Sequence, residues 1–111
     1  PETMSKKIVS VPSREGLEDI RKNCHSYQLR VCALLEEPLG PADTRIQYLT
    51  EIYAVAGHLI SIIDEYMYDA GPDDEVYLTK ADLSPITSFT RAMASCARLL
   101  KREYNISLVT Q

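Results

Sequence analysis

The 111-residue chain has no tryptophan, one phenylalanine, four glycines and three cysteines. Each shortage excludes a class of chemistry. With so few glycines there is no Gly-rich loop to cradle a phosphate and no Gly-x-Ser-x-Gly elbow to expose a nucleophile. Cys24, Cys32 and Cys96 form neither an even set nor a Cys-x-x-Cys pair, so neither a disulfide framework nor a zinc site is expected. Unpaired thiols without a secretory signal fit a reducing, cytoplasmic setting. Wholly apolar runs are only a few residues long, against the roughly 20 that span a bilayer, and no membrane partner is expected. Pro1, Glu2 and Thr3 precede Met4 and read as a cloning remnant; residues 4–12 read as an extended arm, and 13–111 as one helical domain.

What is present is ordinary in sum and uneven in place. Hydrophobic residues make up 45% of the chain and charged ones 25%, enough for one domain to bury about two-thirds of its unfolded surface. The net charge of −4 divides by position. Residues 1–37 carry six basic and six acidic side chains, 38–83 two and nine, and 84–111 four and one. The middle is therefore acidic and the end basic, an asymmetry that bears on partners more than on fold.

Hydrophobic periodicity predicts an all-α fold, an antiparallel bundle of three long helices over about 13–37, 41–69 and 84–104. In the first, Leu17, Ile20, Cys24, Tyr27, Val31 and Leu34 repeat at three and four residues, which holds them on one face, with Ser13 as its cap and Pro38 and Gly40 beyond its end. The second begins at Pro41 and stops before Gly71-Pro72. Its two adjoining stripes, Ile46-Leu49-Tyr53-Ala56-Ile60-Ile63-Met67 and Tyr48-Ile52-Val55-Leu59-Ile62-Tyr66, cover more than half its circumference and mark it as central. The third has Ser84 as cap, Pro85 in its first turn, the stripe Ile86-Phe89-Met93-Cys96-Leu100 and Asn105 at its end. Short β-prone runs at Lys7–Val11, Glu75–Thr79 and Ile106–Thr110 read as loops or arms, with short strands pairing as a small end sheet as the alternative. Excess apolar surface on the second helix predicts a homodimer, with contacts at Ala54, Gly57, Ser61 and Leu29. A mid-helix glycine costs about 1 kcal/mol against alanine, so Gly57 implies a close crossing, within the chain or between copies.

Catalytic and metal constellations lack their parts, so the chain is not expected to be an enzyme or to hold a metal or cofactor. Di-iron bundles need Glu-x-x-His, but Lys22 precedes His25 and Val55 precedes His58 at that spacing. His58, midway along the polar side of the second helix, resembles in outline the phosphorylated residue of histidine phosphotransfer domains. The Lys-Gly pair usual after that histidine is replaced here by Leu59-Ile60, and a small helical enzyme using His58 stands as the competing reading. Nucleic acid is not an expected partner, since Arg91, Arg98, Lys101 and Arg102 are few cations for a phosphate backbone.

The feature that points to a function is the segment from Asp64 to Glu75. Asp64, Glu65, Asp69, Asp73, Asp74 and Glu75 surround Tyr66 and Tyr68 at a helix C-terminus, where the dipole already disfavours negative charge. Carboxylates steer encounter and tyrosines supply contact area. These eight residues are expected to form a docking patch for a protein with a basic surface, in a regulatory, inhibitory or adaptor protein.

Overall fold

The computed structural model describes residues 8–9, 14–40, 42–70 and 78–108, and for Ile8, Val9, Asp69 and Ala70 the backbone alone. Its elements follow in the order β1 (Ile8–Val9), α1 (Arg14–Leu35), α2 (Thr44–Ala70), β2 (Leu78–Thr79) and α3 (Lys80–Tyr104). The three-helix, all-α fold is thus the one the periodicity predicts. α2 packs against both other helices, while α1 and α3 touch each other little.

Side-chain pairs fix the directions. Arg21 faces Asp64, and seven residues further along α1 Gln28 reaches Tyr53, so α1 and α2 are antiparallel. Tyr66 bonds the start of α3 and Tyr48 its end, so α3 is antiparallel to α2 and parallel to α1. Leu17, Cys24 and Val31 of α1, Leu49, Ile52, Ala56, Leu59 and Ile63 of α2, and Ile86, Met93 and Leu100 of α3 make the buried core. No polar or charged side chain is buried with them among the described residues.

The helix ends correct two expectations. Ser13 and Pro41 lie outside the described residues, and α2 begins at Thr44 after Asp43, whose carboxylate accepts the Arg45 amide at 2.9 Å and caps the turn. α3 starts earlier than Ser84. Thr79 is its cap, accepting the Asp82 amide at 3.1 Å while the Asp82 carboxylate accepts the Thr79 amide at 3.0 Å. This reciprocal box satisfies two amides that would otherwise lack partners, and it leaves Pro85 inside the helix rather than in its first turn. The far end agrees with expectation: Asn105 closes α3 in the left-handed region (φ 57°).

Two of the β-prone runs take the alternative of a small sheet. Ile8–Val9 and Leu78–Thr79 do pair, antiparallel, with Ile8 opposite Thr79. Residues 105–108 remain coil, yet Leu108 is buried, Ile106 packs on the core, and Arg30 donates to the Ser107 carbonyl at 3.4 Å. That segment bridges from the end of α3 towards α1.

Although its uninterrupted apolar runs are short, α2 from Thr44 to Tyr68 is long and apolar enough to cross a membrane by length and composition, with mean hydropathy 1.3. In the bundle its apolar stripes face α1 on one side and α3 on the other. Large exposed apolar side chains among the described residues are Leu29, Leu35, Tyr53 and Tyr68. Of the most apolar 18 residues of α2 only 33% are buried in the single chain, and Ile46, Tyr53, Ile60 and Ile62 of its apolar stripes stay half-buried or exposed.

Candidate functional site

The acidic segment divides when its residues are placed. Asp64 lies opposite Arg21, whose guanidinium donates to it at 2.6 Å. It is therefore paired within the chain, because the antiparallel register brings a cation from α1 beside it. Both side chains are 41–49% exposed, so the pair contributes little, roughly 0–1 kcal/mol, and salt screens it. Tyr66 belongs to the packing: its ring lies against the core and its hydroxyl donates to the Asp82 carbonyl at 3.3 Å. Burial, then the neighbouring Asp82, pushes its hydroxyl pKa up.

Glu65 is exposed, and Tyr68 is 86% exposed, the highest value among the large apolar side chains. Among the described residues of the expected patch, this tyrosine and the carboxylate one turn before it project from the last turns of α2 without a hydrogen-bond or ion-pair partner. The Asp69 side chain and the whole of Asp73, Asp74 and Glu75 lie outside the described residues.

Residues expected at a dimer contact take different places. Ala54 and Ser61 are exposed on the outer side of α2, and Leu29 is 74% exposed on α1. Gly57 is half-buried against its own chain: a Cβ there would lie 3.3 Å from Nε2 of Gln28, which donates to the Tyr53 carbonyl at 3.2 Å. Within the chain, the glycine makes room for the Gln28 side chain of α1.

His58 is exposed, and its ring stacks on Phe89 of α3 at 5.6 Å between centroids and 16° between planes. No described residue hydrogen-bonds either ring nitrogen. Stacking accounts for its position without any transfer chemistry. The thiols fall into three environments: Cys24 is buried, with burial pushing its pKa up to about 11, Cys96 is half-buried and shifted upward, first by burial and then by Glu51, and Cys32 is exposed. Cys24 and Cys96 are thereby held away from the thiolate. No group of three or more His, Cys, Asp or Glu able to hold a metal occurs among the described residues.

A polar network that sequence reasoning missed ties α2 to the end of α3. Thr44 and Tyr104 share a hydroxyl–hydroxyl hydrogen bond, Tyr48 donates to Glu103 at 3.2 Å, and Arg45 lies 5.3 Å from the Tyr104 ring centre. Arg45 also grips Asp43 at 2.7 Å, holding that carboxyl below its ordinary range. Its signal was present as an aromatic and a cation one turn apart at a helix start, but their partners lie some 60 residues away. No protein-family model, curated protein or solved structure matches this chain.

Proposed function

We propose that the protein is a non-enzymatic interaction module that engages a basic protein surface with the pole where α2 ends, and that it regulates or inhibits that partner. The observation that carries this reading is Tyr68, 86% exposed beside the exposed Glu65. A large amphipathic side chain held out from a helix end loses little rotamer freedom on binding and gains contact area, while the carboxylate steers approach. Arg21 partners Asp64, so the docking chemistry narrows to Tyr68 and Glu65, extended by Asp69, Asp73, Asp74 and Glu75 in the segment that follows. Self-association through the exposed Leu29, Ala54 and Ser61 belongs to the same reading.

The test is affinity capture from the native host with wild type, with Tyr68→Ala plus Glu65→Gln, and with Ser95→Ala as control. The partner is expected to be lost from the double variant, weakened by salt on wild type and unchanged on the control. Equal recovery on all three overturns the reading. Light scattering on the same samples is expected to give a dimer mass that Leu29→Lys halves.

A further inference from the structure

A second surface, on the other side of the molecule, carries the opposite charge. Because α1 and α3 touch little, a cleft of about 130 Å³ opens between them, lined by Ile20, Asn23, Tyr27, Thr90, Ala94 and the recessed Met93. The cleft is a short trough, about two turns of α1 long from Ile20 to Tyr27, with the β1–β2 pair towards one pole and the 105–108 segment tying α1 to α3 at the other. Thr90, Ala94 and Ala97 are small, so the α3 wall is low and a third backbone can approach it.

The rim of that wall is cationic. Arg91, Ser95, Arg98 and Arg102 follow at four, three and four residues along one exposed ridge, with Lys101 beside it, and Ser95, Arg98, Leu99, Lys101 and Arg102 line a second, larger and more open hollow of about 530 Å³. From Leu83 to Arg102 there is no carboxylate. Arg98 donates to Ser95 at 3.2 Å and Lys101 to Asn105 at 3.0 Å; none of the four cations has a carboxylate partner among the described residues. The dipole of α3 accounts for cations in its last turn only, which leaves Arg91 without that explanation.

We propose that the trough between α1 and α3 docks an amphipathic helix of a partner protein, apolar on the face that enters the trough and acidic on the flank that meets Arg91, Arg98 and Arg102. This completes a four-helix arrangement, the usual way two exposed helix faces at bundle spacing are covered. Charge complementarity selects the occupant. A second copy of this chain would set one cationic ridge near another. A nucleic-acid backbone gains nothing from an apolar trough and needs more cations than one helix offers. A bilayer cannot reach apolar groups that are recessed, as Met93 is at 4% exposure.

The probe is a synthetic peptide of about 20 residues, long enough to run roughly 30 Å as a helix, with a leucine stripe and glutamate flanks. It is titrated into the full chain by fluorescence anisotropy, beside the same stripe with lysine flanks, a single-stranded oligonucleotide and anionic lipid vesicles. The glutamate peptide is expected to bind at low salt, at least about tenfold more tightly than the lysine peptide, with NMR shifts at Ile20, Tyr27 and Ala94. Arg91→Glu with Arg98→Glu is expected to weaken it by about tenfold or more without lowering the melting temperature. Ala94→Trp is expected to block it by filling the trough, with circular dichroism reporting the fold. No binding, equal binding of both peptides, indifference to the arginine reversals, or preferential binding of the oligonucleotide or vesicles each overturns the proposal. None of these outcomes touches Tyr68 or Glu65.

Discussion

Single residues set the chemistry that can be measured first. The three thiols differ in exposure, and reactivity follows thiolate access. Labelling the native protein with a soluble maleimide and reading sites by mass spectrometry is expected to give Cys32 first, Cys96 more slowly and Cys24 only on unfolding. Burial raises Cys24 from its ordinary 9.0 to about 11, so the unfolded thiol ionises before the folded one. Its contribution is therefore complete below about pH 9 and lost as pH rises towards 11. Urea unfolding over that range is expected to show a steeper loss of stability in wild type than in Cys24→Val; parallel curves would count against a buried neutral thiol. At this scale the sequence was readable for Cys24, whose heptad position is that of the core. It misled for Tyr66. That tyrosine stands in the acidic segment by neighbourhood but in the second α2 stripe by period, and the period decided where it points.

At the scale of elements, punctuation decided what could be read. The ends of α1 and α3 are marked by Pro38, Gly40 and Asn105, and the structure closes the helices there. The start of α3 was obscured because two cap signals lie five residues apart: Ser84-Pro85, and Thr79 with Asp82. The second won because it satisfies two amides at once. Thr79→Ala is accordingly expected to lower stability by about 1 kcal/mol in thermal or urea unfolding. Ser84→Ala, exposed inside the helix, is expected to change it by less than about 0.5 kcal/mol. The β1–β2 pair stayed open between sheet and loop in the sequence because strands of two residues are too short to show a period of two. The Arg21–Asp64 pair escaped because its register depends on the length of the turn between α1 and α2. Once that turn is known, Arg21 opposite Asp64 and Gln28 opposite Gly57 follow together, each seven residues from the next.

For the whole molecule, the central place of α2 was legible from its two adjoining stripes, and this carries a dynamic consequence. Only α2 packs along its length on both neighbours, so its middle can open only when the whole bundle does. Native-state amide exchange is expected to be slowest from Ile52 to Ile63 and to track global stability there, while the outward turns of α1 exchange faster. Equal protection of all three helices would mean that α1 and α3 support each other directly. The trough was not legible. Periodicity says which face of a helix is apolar, but the distance between two faces depends on how a third helix holds them. The cationic ridge was read in part, as four cations on one helix; the low wall of small residues beside it acquires meaning only from the separation of α1 and α3.

The Arg30 contact to the Ser107 carbonyl and the pairing of Ile8–Val9 with Leu78–Thr79 fasten the two ends of the described chain at opposite poles. α3 separates them, with 25 residues that at 1.5 Å each span about 37 Å. The bundle is therefore a spacer of set length: Ile8 and Leu108, the first and last described residues, sit about one helix length apart.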